Sequence, residues 1–266
     1  MKKKCGITGG TGNLGRHIIR SNKFVFNKFR GDITKRKEVD NWIKYNKFDL
    51  IIHLAAIVPT KKVSKNLRYS KMVNVNGTVN LVKAINKYIK KSVWFFYAST
   101  SHVYSYSDYK INENSHTKPI SDYGKTKLNA EKFIQKNLNK KINYTIGRIF
   151  SFTSKYQDSS YFIPAVKKKI LKNKKQILNF NDVNHFRDFI KIDSIVDIIF
   201  FLFRIKYNGI INIGSGIKIN LKKIIIKLNN NKHKLTFKNA KTEKSQFASI
   251  RKLRNLGYKK KLKWNV

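Results

Sequence analysis

Three groups of residues have the types and spacing that chemistry needs. The first is Gly9-x-x-Gly12-x-x-Gly15, close to the first residue given. Glycines at this spacing permit a tight turn and let backbone approach a pyrophosphate. A helix opening behind them offers free N–H groups and a partial positive charge. Thr11, Asn13 and Leu14 fill the positions between. The second group is Tyr123-x-x-x-Lys127, a pair that shares one face if the segment is helical. A neighbouring ammonium stabilises a phenolate, which would make Tyr123 an acid/base near neutral pH with Lys127 as its partner. The third is the hydroxyl run Ser99-Thr100-Ser101, followed by His102. Histidine titrates near neutrality, so His102 is a candidate auxiliary acid/base. With 13 Tyr and 48 Lys in the chain, the Tyr/Lys spacing gains its weight from its place behind the glycine loop.

The elements that must hold these groups alternate. Cys5–Thr8 reads as a short strand entering the glycine loop, and Leu14–Arg20 as the helix leaving it. Phe24–Phe26 is a weak second strand and Arg30–Ile33 a third, with Thr34 capping a helix over 35–46. Strands are expected at Asp49–Leu54, Val93–Ala98 and Tyr144–Ile149. Helices are expected at Ser70–Lys90 and Tyr123–Leu138 from their apolar period. The later half is less regular: helix at Ile163–Lys172, strand at Ile177–Phe180, helix at Asp193–Arg204, strand at Gly209–Ile213, helix near Leu221–Leu228, then a basic tail. Alternating strands and helices predict an α/β fold with a parallel sheet covered on both sides. Hydroxyls at the carboxyl end of a parallel strand face the ligand crevice, which is where Thr100 falls.

Composition bounds the rest. The 266 residues carry 58 Lys+Arg against 14 Asp+Glu, a formal net charge of +44. Such a charge invites nucleic acid or an anionic surface as partner. Only 10 of the cations are Arg, the residue that phosphate recognition favours, and Asn (29) and Ile (34) are abundant too. Lys, Asn and Ile share A/T-rich codons, and the lysines are spread along the chain. The charge therefore reads as mainly compositional, and nucleic acid is not the expected partner. One cysteine, Cys5, excludes a disulfide framework, and no metal site is expected. The most apolar stretch, Ile195–Phe203, is far shorter than the roughly 20 residues a membrane helix needs. A cytoplasmic protein without membrane contact is expected. No acidic residue stands at the end of the second strand, where an NAD ribose would find one; Arg16, Lys28 and Arg30 could instead meet a 2′-phosphate. This tilts the cofactor expectation from NAD slightly toward NADP.

In order, the chain resembles the extended short-chain dehydrogenase/reductase family, the NAD-dependent epimerase/dehydratase group that modifies nucleotide sugars. The matching segments are Thr8–Gly15, Gly31-Asp32-Ile33, His53-Leu54-Ala55-Ala56, Asn74-Val75-Asn76-Gly77-Thr78, Ser99-Thr100, Tyr123–Lys127, Arg148, Arg187-Asp188-Phe189-Ile190 and Gly209–Gly216. The resemblance implies that Gly9, Thr11, Gly12, Asn13, Leu14 and Gly15 cradle the cofactor and that Asp32 and Ile33 flank its adenine. It implies that Leu54, Ala55 and Ala56 line the ribose and phosphate side, and that Asn74 sits near the nicotinamide half. Lys127 would bond the nicotinamide ribose and tune Tyr123. Thr100 would hold the reacting sugar oxygen, and Arg187 the substrate diphosphate, with Ser101 and Ser151 among the substrate-binding residues. The resemblance implies a Rossmann-type, doubly wound parallel sheet with a small C-terminal substrate-binding subdomain: residues 1–150 as the dinucleotide-binding domain and 151–266 as the substrate region, with 185–215 returning to the sheet. At 266 residues the chain resembles a shortened member.

The resemblance implies a hydride moving between nicotinamide C4 and sugar C4 while Tyr123 exchanges a proton with the C4 oxygen. Stopping there is 4-keto reduction, and returning hydride to the other face is 4-epimerisation. Dehydratases of the group carry an acidic residue two or three places after the catalytic Thr; Ser101 and His102 stand there, which disfavours dehydration. Fucose synthase–like members have a cysteine in the place of His102. The reductase is slightly favoured. A homodimer through the helices 70–90 and 123–138 is implied. The alternative, from another class, is a catalytically inactive or regulatory member of this fold that binds RNA or another polyanion; members of that kind often lose the Tyr/Lys pair that this chain keeps.

Overall fold

The structure, a computed structural model, describes residues 2–58, 60–174, 176–262 and 264. In chain order the elements run β1 (Lys4–Thr8), α1 (Asn13–Arg20), β2 (Val25–Lys28), α2 (Arg36–Lys44), β3 (Leu50–His53), α3 (Thr60–Lys65), α4 (Leu67–Lys71), a π-helical turn (Met72–Asn76), α5 (Gly77–Tyr88) and β4 (Trp94–Thr100). A 3₁₀ turn (Ser101–Val103), α6 (Asp122–Asn137), β5 (Asn143–Ile149), β6 (Ser151–Thr153), α7 (Phe162–Lys172), β7 (Ile177–Asn181), β8 (Phe186–Arg187) and β9 (Phe189–Lys191) follow. The chain continues with α8 (Ile192–Arg204), β10 (Gly209–Ile213), β11 (Ile219–Asn220), α9 (Leu221–Asn229), β12 (Lys234–Lys238), β13 (Ser245–Gln246) and α10 (Arg251–Asn255).

Six of these strands form one parallel sheet in the order β10-β5-β4-β3-β1-β2. The chain leaves β1 toward β2 on one side and returns to β3 on the other. The crevice at the carboxyl ends of β1 and β3 is thus the topological switch point, where open α/β sheets bind ligands. Strand alternation divides the core into two layers. Cys5, Ile7, Leu50, Ile52, Trp94 and Phe96 pack against Leu14 and Ile18 of α1 and the apolar face of α8. Ile51, Phe95, Tyr97 and Ile146 point the other way, onto Val39 and Ile43 of α2, Leu81 and Ile85 of α5 and Ile134 of α6. Both faces are covered, so β3 carries four consecutive buried residues.

Several expectations need correction. Arg30–Ile33 is not a strand. The Asp32 carboxylate accepts from the Thr34 amide (2.9 Å) and hydroxyl (2.8 Å), and this side-chain turn competes with extended backbone. Thr34 does not cap α2, which starts after Lys35 with no side-chain cap. The helix expected at 70–90 is split by the π-helical turn. The expected basic tail is ordered: β12 pairs in parallel with β7, β13 pairs with β8, and α10 follows. Within 185–215 only β10 joins the large sheet; β8 lies in a three-stranded sheet with β11 and β13, and β9 pairs with β6.

Candidate active site

A cavity of about 860 Å³ opens at the carboxyl ends of β1, β3, β4 and β5. Its first wall is the glycine loop: Gly9, Thr11, Gly12, Asn13, Leu14 and Gly15 all line it. Gly9 has φ +68°, and a Cβ there would fall 2.6 Å from the Ala55 amide nitrogen. A Cβ on Gly15 would fall 2.7 Å from the Gly10 Cα. Both glycines are therefore required by close backbone approach. Gly12 caps α1 with no side-chain hydrogen bond, so the N–H groups of the first turn remain open toward the cavity. The Asn13 Oδ1 is buried without a partner. A loop that no side chain fills and open helical N–H groups fit the diphosphate of a dinucleotide, and the unpartnered Oδ1 is an acceptor for a hydroxyl or N–H group of the same ligand.

The floor is formed by Leu54, Ala55 and Ala56 behind β3. Buried hydroxyls and a buried imidazole hold this floor in place. Thr8 Oγ1 contacts His53 Nδ1 at 2.6 Å and accepts from the Ala55 amide at 3.2 Å, and His53 Nε2 contacts Thr78 Oγ1 at 2.9 Å. Burial, then the nearby Lys127, pull the His53 pKa down to about 3, so the ring is neutral.

The opposite wall carries Thr100 and His102 from the end of β4 and Tyr123 and Lys127 from α6. Ser121 caps α6 by accepting from the Gly124 amide (3.1 Å) and also bonds His102 Nδ1 (3.0 Å), which ties helix to strand end. Gly124 is where the two meet: a Cβ there would collide with the His102 carbonyl. The His102 and Tyr123 rings pack edge-on, 5.9 Å apart. Burial raises the Tyr123 pKa above its ordinary value; the Tyr161 hydroxyl adds to this, and a hydrogen bond with Thr100 opposes it. Burial and the Arg187 charge lower His102 to about 4, leaving it neutral.

Lys127 is 1% exposed, and its ammonium lies 4.0 Å from the centre of the Tyr97 ring. Burial lowers its pKa to about 7, against the attraction of Glu131. The Tyr123 pKa, expected to be lowered by a nearby ammonium, is instead raised, with burial the largest cause. Glu131 escaped the sequence reading. It is fully buried, accepts from Ser99, and forms a salt bridge with Arg148 at 2.7 Å. The signal was present, since Tyr123, Lys127 and Glu131 follow one another at four-residue spacing.

Four candidates lie outside the cavity lining. Asp32 is exposed and engaged with Thr34, and Ile33 is buried beneath Gly77. Asn74, in the π-helical turn, accepts from the Ile57 amide (2.7 Å) and donates to the Ile57 carbonyl (3.3 Å) and Thr126 (3.1 Å), so it pins the loop after β3. Ser101 turns away and donates to Gln246 at 2.9 Å; the Gln246 amide donates back to the Ser101 carbonyl at 2.9 Å. Ser151 and Arg187 do line the cavity. Arg187 does not pair with Asp188, whose carboxylate accepts from Ser215, Gly216 and Ala248.

The segment 154–161 was not anticipated. It crosses from the later half over the glycine loop. Tyr156 accepts from Arg20 (2.7 Å) and lies beneath the Arg16 guanidinium, Tyr161 accepts from Asn13 (3.5 Å), and Asp158 faces Lys62 at 3.8 Å.

The chain is similar to known proteins over most of its length. A family model described as the NAD dependent epimerase/dehydratase family matches residues 5–214. A putative UDP-glucose 4-epimerase of Methanocaldococcus jannaschii is 29% identical over 242 residues, 79% of this chain and 76% of that protein. Among solved structures, RMD from Pseudomonas aeruginosa, complexed with NADPH, superposes with a TM-score of 0.86 at 19% identity, covering 99% of this chain and 94% of that one. The UDP-glucose 4-epimerase of Thermus thermophilus, complexed with NAD, gives 0.81 at 17% identity, covering 96% and 93%. At these identities the structural likeness speaks to the fold. Among the described residues no helix is long and apolar enough to cross a membrane.

Proposed function

The chain belongs to the NAD-dependent epimerase/dehydratase family, and from that premise we propose that it is a nucleotide-sugar oxidoreductase acting at C4 of the sugar, with Tyr123 as the acid/base. The cofactor is a nicotinamide dinucleotide, with NADP(H) preferred over NAD(H), and it supplies the hydride when bound. Residues 1–150 hold it and residues 151–266 complete the sugar pocket, in a cytoplasmic homodimer. The observation that carries this reading is that Tyr123 and Thr100 line one cavity together with the glycine loop and Arg187.

The division of labour follows from the side chains. The open N–H groups of α1 and the Asn13 Oδ1 and Nδ2 hold and orient the dinucleotide. Arg187 makes no salt bridge among the described residues, so its charge is available to the substrate diphosphate. Thr100 holds the C4 oxygen against Tyr123. Tyr123 gives its proton to the C4 carbonyl oxygen as hydride reaches C4, which is the 4-ketoreductase reading, slightly favoured here over the 4-epimerase. Neutral His102, fixed by Ser121, is a hydrogen-bonding wall of the pocket. The same buried Tyr/Thr pair favours an enzyme over a polyanion-binding relative.

The test is to offer purified protein NADPH or NADH together with UDP- and dTDP-linked 4-ketosugars, and separately UDP-glucose. Reduction of a 4-ketosugar that is lost in Tyr123→Phe is the expected result. Nucleotide oxidation without any ketosugar, or an unchanged rate in Tyr123→Phe, contradicts the reading.

A further inference from the structure

We propose that Glu131 is a positioning residue of this site: it ties the Ser99-Thr100 end of β4 to α6, the helix of Tyr123 and Lys127, and supplies the buried negative charge that holds a proton on the Lys127 amine. The inference rests on the reading of the cavity as a nicotinamide dinucleotide site with Tyr123 as its acid/base. Ser99, Thr100, Tyr123 and Lys127 line that cavity and Glu131 does not, so Glu131 acts through them.

Tyr123, Lys127 and Glu131 share one face of α6, about a turn apart. From that face the fully buried Glu131 reaches two neighbouring strands. Ser99 on β4 and Arg148 on β5 stand opposite each other in the sheet register. The Ser99 hydroxyl donates to Glu131 Oε1. Arg148 donates through Nε to both carboxylate oxygens (3.2 and 3.1 Å) and through Nη2 to Oε2 (2.7 Å). Thr100 follows Ser99 directly, so this tie fixes where Thr100 stands against the helix. The contact of Ser121 with His102 joins the same helix to the same strand end, ahead of Tyr123. The two ties bracket Tyr123 and Lys127.

Packing alone does not call for this ion pair, because apolar side chains of similar volume often serve a fold as well or better. The charges bear instead on Lys127. Arg148 does not release its proton, and it is held further by donating to the Tyr104 hydroxyl (2.8 Å) and the Glu113 carbonyl (3.3 Å). Lys127 can release its own. Among the described residues, the titratable groups around it are His53 on β3, Tyr97 on β4, and Tyr123 and Glu131 on its own helix. His53 is neutral, and burial raises the pKa of both tyrosines. Glu131 is thus the carboxylate that opposes the desolvation of Lys127, whose pKa burial lowers to about 7 against that attraction. Without the Glu131 charge, Arg148 stays cationic and Lys127 gives up its proton at lower pH.

The test reads the charge on Lys127 through ligand affinity. NADPH is titrated by its fluorescence into the intact protein at several pH values on either side of 7, at about 150 mM ionic strength. A charged Lys127 favours an anionic ligand, so affinity should fall as pH rises through about 7, and Lys127→Met should abolish that step. Glu131→Gln keeps an acceptor for Ser99 and loses the charge, so the step should move down by about one pH unit or more. Glu131→Asp keeps the charge on a shorter stem. Its step should stay near that of the unaltered protein, while kcat with a 4-ketosugar falls and KM changes little. Where the uncompensated Arg148 unfolds Glu131→Gln, as thermal unfolding would show, Glu131→Gln with Arg148→Met removes both charges and carries the same expectation. A step unmoved in the folded Gln variant, single or double, or one that survives Lys127→Met, overturns the proposal. The expected shifts without reduction of any ketosugar support the role of Glu131 and overturn the reductase reading. No binding of NADPH overturns the dinucleotide reading and this proposal with it.

Discussion

The pKa of Tyr123 is raised, while those of His53, behind the cavity floor, and His102, in its wall, are lowered. Burial is the main cause in each case, since it penalises whichever form is charged. Replacing Tyr123 by Phe removes the acid while keeping the ring. Turnover should fall by about 10²- to 10⁴-fold, with NADPH fluorescence titration showing the cofactor still bound. His53 makes a prediction of opposite readout, in stability. Its folded pKa of about 3 lies below the value of about 6.5 for a free imidazole. Between these values the unfolded chain binds the proton and the folded chain does not. The contribution is therefore fully present above pH 6.5 or so and is lost as pH falls toward about 3. Urea midpoints measured from pH 7.5 down to 5 should decline, and His53→Gln should flatten that decline; an unaltered slope would show that another group is responsible. His102, with a pKa of about 4, has the same sign.

Among the elements, α6 and the end of β4 form the joint that aims Tyr123, and Gly124 is its tightest point. Gly124→Ala must push the helix off the His102 carbonyl. A loss of about 1–3 kcal/mol in stability, together with a fall in turnover, is expected from chemical denaturation and assay of the same sample. Lys125→Ala, one residue on, loses only the exposed pair with Asp122 and should cost under about 1 kcal/mol. The π-helical turn is a second joint. Asn74→Ala leaves the Ile57 amide without its partner, at a cost of about 1–3 kcal/mol, and should speed hydrogen exchange at Ile57. At this scale the sequence was legible where one element repeats a local rule. The glycine spacing announced the loop, and the apolar period announced most helices. It was illegible where a side chain overrides the local pattern: the apolar Ile33 suggested a strand, but Asp32 closes a turn on Thr34. It was illegible, too, where a helix must widen by one residue to bring Asn74 to Ile57.

Over the whole molecule, the later half returns to the first at two places. The segment 154–161 is strapped to α1 through Tyr156 and Tyr161, and Gln246 on β13 locks Ser101. Releasing the strap should free the bound nucleotide: stopped-flow dissociation of NADPH is expected to be faster in Tyr156→Ala, with the association rate little changed. Association should instead follow the net charge, slowing as salt is raised because a positive field captures anions. Composition, the order of strands and helices, and the glycine and Tyr/Lys spacings were readable without coordinates, because each depends on residues a few positions apart. Three things depend on residues separated by up to 145 positions. One is that Ser101 and Asn74 brace the site from outside the cavity. Another is that Lys127 lies over the Tyr97 ring. The third is that Tyr123 lies deep enough for burial to raise its pKa. Chain connectivity reaches only near neighbours, whereas the dielectric around a group is set by everything that packs upon it.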